Sequence, residues 1–333
     1  MLARLAALLV LLSAPAAATE TAVAPGSRAG LAPPTASAAP VFPPGSRVGL
    51  VPPEAMQASR RFLGFENTAK QASIAFVEMP AGTYETVTAD LTKESLKAQG
   101  VTLTSRETVK VGDRDALLIS GDQALGAAKV RKWMLVTADA AGTALVIGEA
   151  GSRQGYSDRE MRAALLSVAL KGPLPIEDQM KALPFTIPER AGFRPIRVAD
   201  GQSLTLTEGP SDSPKNADQP FLMLTASPGR TPAAGEARER FARAALAINQ
   251  SLTDVALERS QSFRLKGVEW HEIVARATHG PSGEPVVVMQ TIRFDRGLYV
   301  RMVGMAKAGA RDAVLPRFRA LIDNLEVEAG SEG

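Results

Sequence analysis

The sequence predicts an α+β fold of two tandem domains, each an antiparallel β-sheet packed by helices. Three features point there. The chain resembles itself when slid by 155 positions, glycines punctuate alternating apolar segments, and a proline-rich stretch divides the halves.

The self-similarity brings Gly112 onto Gly267, Gly142 onto Gly297, Ser157 onto Asp312, Arg162 onto Arg317, Leu166 onto Leu321 and Leu170 onto Leu325. Ile119 meets Val274 and Met134 meets Met289, with no gap across that half. Upstream, with shorter offsets, "IAFVEMP" at 74–80 faces "LMLTASP" at 222–228, and "FLGFE" at 62–66 faces "LTLTE" at 204–208. A repeat of this length reads as a duplicated domain.

Gly112 and Gly267 each stand between two alternating apolar segments, where a hairpin needs a residue tolerant of positive φ; Gly142 and Gly297 read the same way. Ser157 and Asp312 read as helix N-caps, and Ser157 forms a capping box with Glu160.

In the first half, strands are expected near 61–66, 73–78, 101–111, 115–120, 130–137 and 143–148. Helices are expected over 83–91, 93–99 after a Thr92 cap, and 158–170. In the second half, strands fall near 203–207, 221–225, 255–264, 268–277, 285–294 and 298–305, with helices over 235–252 and 312–325. The 235–252 segment puts Phe241, Ala245, Ile248 and Leu252 on one face and Glu239 and Arg243 on the other. Pro316 is placed near the start of the last helix, where a missing N–H costs little.

Four prolines in "GPLPIEDQMKALPFTIPER", residues 172–190, mark the boundary. The expected organisation is a first domain over 45–172, a linker over 173–184, a second domain over 185–328 and a tail over 329–333. Residues 210–220 read as a polar loop.

Residues 1–18 read as a secretory signal, with Arg4 as the positive n-region, Leu5 to Leu12 as the apolar core and cleavage after Ala18. The apolar run is far shorter than the roughly 20 residues that cross a bilayer. A periplasmic mature chain without a transmembrane segment is therefore expected.

Residues 19–44 are almost wholly Ala, Pro, Ser, Gly and Thr and read as a disordered leader. Within it, "PGSRAGLAPP" at 25–34 nearly repeats "PGSRVGLVPP" at 44–53, with Ala29 and Ala32 in place of Val48 and Val51. At about 0.8 kcal/mol per buried CH₂, the upstream copy would dock roughly 3 kcal/mol more weakly in the same place. Residues 46–51 are thus expected to form the entry strand of the first domain, and the upstream copy to be a disordered linker relic.

There is no cysteine, which excludes disulfides and thiolate chemistry. Lysine and arginine number 38 against 35 acids, and aromatic residues make up 5%, so neither a basic footprint nor a stacking platform for nucleic acid is present.

Motifs for chemistry are sparse. His271 and His279 lie in "WHEIVARATH", but the second ligand of H-E-x-x-H would fall at Ala275, so both read as surface or edge residues. No G-x-S-x-G elbow, phosphate loop or dinucleotide fingerprint occurs. Glu269 with Glu272, and Asp113 with Asp115, read as solvated charges or as residues on opposite strand faces. Arg238, Arg240 and Arg243, interspersed with Glu236 and Glu239, read as a solvated helix face. No catalytic, cofactor-binding or metal-ligating residue is assigned. Trp133 reads as core, and Trp270 as packing first and partner anchor second. Trp270, His271 and Arg293 are the contact candidates.

"SRVGLVPPEAM", followed by "FLGFEN" and "ASIAFVEMPAGTYETV", then a glycine-turned meander and a capped last helix, resembles the PsbP-like fold, named for an extrinsic subunit of photosystem II. The resemblance covers about 41–172 and 183–327, and Ala55 stands where such starts usually carry glycine. It implies an antiparallel sheet with helices against it and members that bind or stabilise partners, but no shared chemistry.

The expected function is a non-enzymatic periplasmic binding or assembly module for an envelope protein. The alternative is a small-molecule carrier, less so a hydrolase, with a site in the cleft between the halves. An apolar cleft converging on Trp270, His271 and several arginines would favour the alternative. An exposed sheet edge would favour a protein partner.

Overall fold

The computed structural model describes residues 39–125, 128–151, 155–213 and 217–327. The signal and the upstream copy of the doubled phrase lie outside them. The chain divides into two units, one mainly of residues 47–59 and 64–173, the other mainly of residues from 174 onward.

The first unit runs β1 (Val48–Gly49), β2 (Gln57–Ala58), β3 (Gly64–Asn67), β4 (Ala72–Met79), α1 (Tyr84–Asp90), α2 (Lys93–Ala98) and β5 (Val101–Val111). It continues with β6 (Arg114–Leu125), β7 (Ala128–Asp139), β8 (Gly142–Gly151), α3 (Asp158–Leu166) and β9 (Ala169–Leu170). Seven strands form one antiparallel sheet in the order β2-β3-β4-β8-β7-β6-β5, and β1 pairs with β9.

The second unit runs α4 (Ile176–Gln179), β10 (Phe185–Thr186), β11 (Arg194–Ala199), β12 (Ser203–Thr207), β13 (Phe221–Pro228) and α5 (Glu236–Ala247). Then come β14 (Leu252–Leu265), β15 (Val268–His279), β16 (Glu284–Asp295), β17 (Leu298–Lys307), α6 (Arg311–Asp323) and β18 (Glu326–Val327). Its sheet follows β11-β12-β13-β17-β16-β15-β14, and β10 pairs with β18. The strand order is that of the first unit, and in each unit the first strand closes on the last.

The fold is therefore α+β, with two seven-stranded antiparallel sheets and helices against them. Alternation along each strand feeds a core on either face. In the second unit Leu222, Leu224, Val274, Met289 and Trp270 pack with Phe318 and Leu321 of α6. On the opposite face Ile273, Ala275, Val288 and Ile292 pack with Ala242 and Leu246 of α5. In the first unit Ile119, Met134, Val136 and Ile147 pack with Val87 of α1 and Leu96 of α2.

Several boundaries differ from expectation for identifiable reasons. Helix α3 stops at Leu166 because Ala169 and Leu170 pair with Gly49 and Val48; α6 stops at Asp323, leaving Glu326 and Val327 to pair with Thr186 and Phe185. Helix α5 ends at Ala247, since the Asn249 side chain and carbonyl accept from the Ser251 and Leu252 amides and turn the chain into β14. Leu252 is thus a strand residue, Ile248 is exposed, and the stripe toward the sheet is Ala242 and Leu246, buried, flanked by the partly buried Phe241 and Ala245. Asp312 is not a cap: α6 begins at Arg311 and Asp312 sits in its first turn, while Pro316 lies inside the helix.

Ser157 and Glu160 do form a capping box, and so do Thr92 and Ser95. Gly112, Gly267 and Gly297 have positive φ, at 56°, 80° and 75°. Gly142 does not; a side chain there would instead meet the Met79 carbonyl oxygen at 2.6 Å.

Candidate functional site

The most accessible chemistry lies along β14. This strand of 14 residues ends its sheet, and among the described residues no strand pairs with its outer side. Ten of its 14 residues are exposed, including Val255 and Leu257, at 39% and 42%. Its first half is irregular, with register shifts between Thr253 and Ala256 and between Leu257 and Arg259, and with positive φ at Asp254. From Arg259 to Leu265 the pairing with β15 is uninterrupted. Bulges blunt edges, so the regular stretch is where a further strand could be added.

On the α6 face of this edge, Glu272 is 2% exposed and is held between two guanidinium groups, Arg259 of β14 and Arg319 of α6, the latter at 3.1 and 3.2 Å. Glu258 is likewise held by Arg276, at 2.9 Å, and by Arg311. Glu272 is thus buried and ion-paired rather than solvated. Glu269 lies on the other face, 2.8 Å from Arg238.

The three contact candidates divide between faces. Trp270 and Arg293 are cross-strand neighbours on the α6 side, with the guanidinium 5.7 Å from the indole centroid. Phe263 stacks on the indole from β14 at 6.2 Å. Arg293 is bound to Asp295 at 2.8 and 2.9 Å and donates to the Leu325 carbonyl at 3.1 Å. Trp270 is 2% exposed, and its indole N–H has no hydrogen-bond partner.

His271 points to the α5 side and is 1% exposed. Ser262 meets its Nδ1 at 2.9 Å and Ser260 its Nε2 at 3.1 Å. Burial pushes its pKa below the ordinary histidine value, against a weaker opposing pull from Glu239. A Ser-His-acid triad needs a carboxylate on the nitrogen opposite the nucleophile, and here that nitrogen meets a second hydroxyl. His279 is also buried, 2.7 Å from Ser282, and both histidines lie on β15, an inner strand, so neither is the surface or edge residue expected. Arg238 departs similarly from the solvated face, since it is covered by Glu269 and lies 4.8 Å from the Phe294 centroid. Arg240 and Arg243 keep to solvent, paired with Glu236 and Glu239.

The first unit carries a groove of about 540 Å³ lined by Trp133, Tyr156, Arg131, Lys129, Asp122 and Asp158. Its polar groups are committed to one another: Trp133 donates to Asp158 at 2.8 Å, and Asp122 takes Lys129 at 3.1 Å and Arg131 at 3.3 Å. Trp133 is core, as expected, at 2% exposure. Among the described residues no group of three acidic or histidine side chains converges as a metal site would require.

Sequence reasoning did not single out Arg259, Ser260, Ser262 or Arg319. The signal available was "ERSQSFR" at 258–264, polar on both faces of a strand, which is what an edge position permits.

No family model matches the chain, and no curated protein does. Solved structures similar to it include the Saccharomyces cerevisiae Ran-binding protein Mog1p, 10% identical over 44% of this chain and 90% of that one, with a TM-score of 0.34. Cyanobacterial PsbP from Synechocystis is 14% identical over 43% of this chain and 91% of that one, with a TM-score of 0.28. The immunity protein TplEi of the T6SS of Pseudomonas aeruginosa is 10% identical over 83% of this chain and 97% of that one, with a TM-score of 0.32. A PsbP is thus among the similar structures, and the fold itself rests on the strand order given above.

Proposed function

We propose that the chain is a non-enzymatic binding or assembly module of the cell envelope, and that a protein partner joins it by adding a strand along the outer edge of β14. One observation carries this: a 14-residue strand at one edge of the second sheet whose regular half, Arg259 to Leu265, has no strand on its outer side among the described residues. A carrier site would instead draw Trp270, His271 and arginines into one apolar cavity, whereas these side chains lie buried on opposite faces. The signal read in residues 1–18 supports a periplasmic location, and the described residues contain no helix long and apolar enough to cross a membrane. The shared strand order of the two sheets supports two copies of one module.

Alternate residues of a strand direct their backbone groups to opposite sides, so of Gln261→Pro and Arg264→Pro one removes an outward N–H and leaves the ladder to β15 intact. The expected result is that one variant keeps the wild-type thermal midpoint yet loses the protein that the wild type recovers from an envelope extract. Full recovery by both folded variants, or recovery by the wild type of a stoichiometric small molecule and no protein, would overturn the proposal.

A further inference from the structure

We propose that the segment received by β14 is an acidic extended peptide, its carboxylates meeting the arginines on the α6 face of the edge. This rests on β14 being the docking edge. The charges there are layered: Glu272 and Glu258 lie underneath, 2% and 22% exposed, and above them Arg259, Arg311, Arg319 and Arg276 are 42%, 38%, 39% and 71% exposed. Each carboxylate is shared by two guanidinium groups, so these two acids offset only two of the four arginine charges. A guanidinium has five donors in a planar fork, and one carboxylate leaves several of them unused. Two further acids, Asp312 and Asp323, are exposed near the two ends of α6, and Lys266 reaches the Asp323 carbonyl at 2.8 Å.

A strand added outside Arg259 to Leu265 directs alternate side chains to that face, beside Arg259, Gln261 and Phe263. An acidic side chain at the position beside Arg259 meets that guanidinium, with Arg319 on the same carboxylate behind it, while lysine or arginine there meets like charge, which disfavours cationic strands. The bulges upstream of Arg259 confine docking to this arginine-bordered half.

The test uses the whole chain and three synthetic peptides of alternating Thr/Val and Xaa, with Xaa as Glu, Gln or Lys. Binding is followed by fluorescence anisotropy, and its place by amide exchange at residues 259–265. The Glu peptide is expected to bind at least about tenfold more tightly than the Gln peptide and to weaken about tenfold when salt is raised to about 0.5 M; the Lys peptide is expected to bind least. Arg259→Ser, which leaves Glu272 paired with Arg319 and is checked for an unchanged thermal midpoint, should remove most of the preference for Glu over Gln.

Equal binding of the Glu and Gln peptides, with the same amides protected, would overturn the acidic requirement and leave the docking edge standing. Failure of every peptide to protect residues 259–265 would overturn both.

Discussion

The Arg47 guanidinium grips the Asp139 carboxylate across 92 residues, joining the segment that opens the first sheet's unit to the hairpin between β7 and β8. Arg47 also donates to the Lys171 carbonyl at 3.1 Å, and Asp139 accepts the Ala141 and Gly142 amides at 2.9 and 3.0 Å. Burial alone would raise the Asp139 pKa, but the bonds from Arg47 and from these amides outweigh it and hold the carboxyl below its usual range. Asp139→Asn should cost about 2 kcal/mol, the scale of a hydrogen bond to a charged group. Because the folded pKa is depressed, this contribution is complete above the ordinary carboxylate value and is lost as pH falls through the folded pKa. Urea midpoints of the first unit should therefore fall with acid more steeply in the wild type than in the variant.

His271 should give a second pH dependence, in a higher range. Its folded pKa lies below the ordinary histidine value, so the unfolded chain takes up the proton first. The stabilisation is complete above the unfolded value and declines as pH falls from there through the folded one. His271→Gln keeps a polar partner for Ser260 and Ser262, and unfolding midpoints measured between about pH 5 and 8 should flatten in that variant.

Helix α5 is fastened by two polar side chains rising from the sheet. Gln290 donates to the Ala242 carbonyl at 2.7 Å, and Arg301 donates to Gln290 at 2.8 Å and to the Ala245 carbonyl at 2.8 Å. Gln290→Leu leaves a buried guanidinium N–H without its acceptor and removes a second bond to a helix carbonyl, so a loss of about 3 kcal/mol is expected. Amide exchange should then speed up in α5 before it does in α6.

Two glycines let helices approach their sheets, and their tolerance should differ. A Cβ at Gly304 would meet three atoms of the Phe318 ring at 2.6 to 2.9 Å, whereas at Gly148 the closest contact, at 2.8 Å, is the flexible methyl end of Met161. Overpacking against a rigid ring costs more, so Gly304→Ala should lose about 2 kcal/mol and Gly148→Ala less than half of that in thermal or urea unfolding.

How much of this was legible in sequence depended on range. Residues 101–111 and 203–207 form strands with the expected bounds because period-2 alternation is local, and the Thr92 and Ser157 caps were visible because capping spans three residues. Strand β1 falls within the entry strand expected at 46–51, but its partner β9 and the pair β10–β18 were not visible, since two residues contain no period and the partners are far along the chain. Strand β11, "RPIRVA", hid behind a proline and two arginines that an edge tolerates. The environment of His271 needed the register that sets Ser262 opposite it, and Glu272 was misjudged because its two arginines come from different elements.

The most direct test is amide exchange along β14 with and without the protein that the wild type recovers from the envelope. Slowed exchange confined to alternate residues of Arg259 to Leu265 is predicted, because an added strand protects only outward N–H groups. Unchanged exchange there, with protection arising on β11 or in the first unit's groove instead, would contradict it.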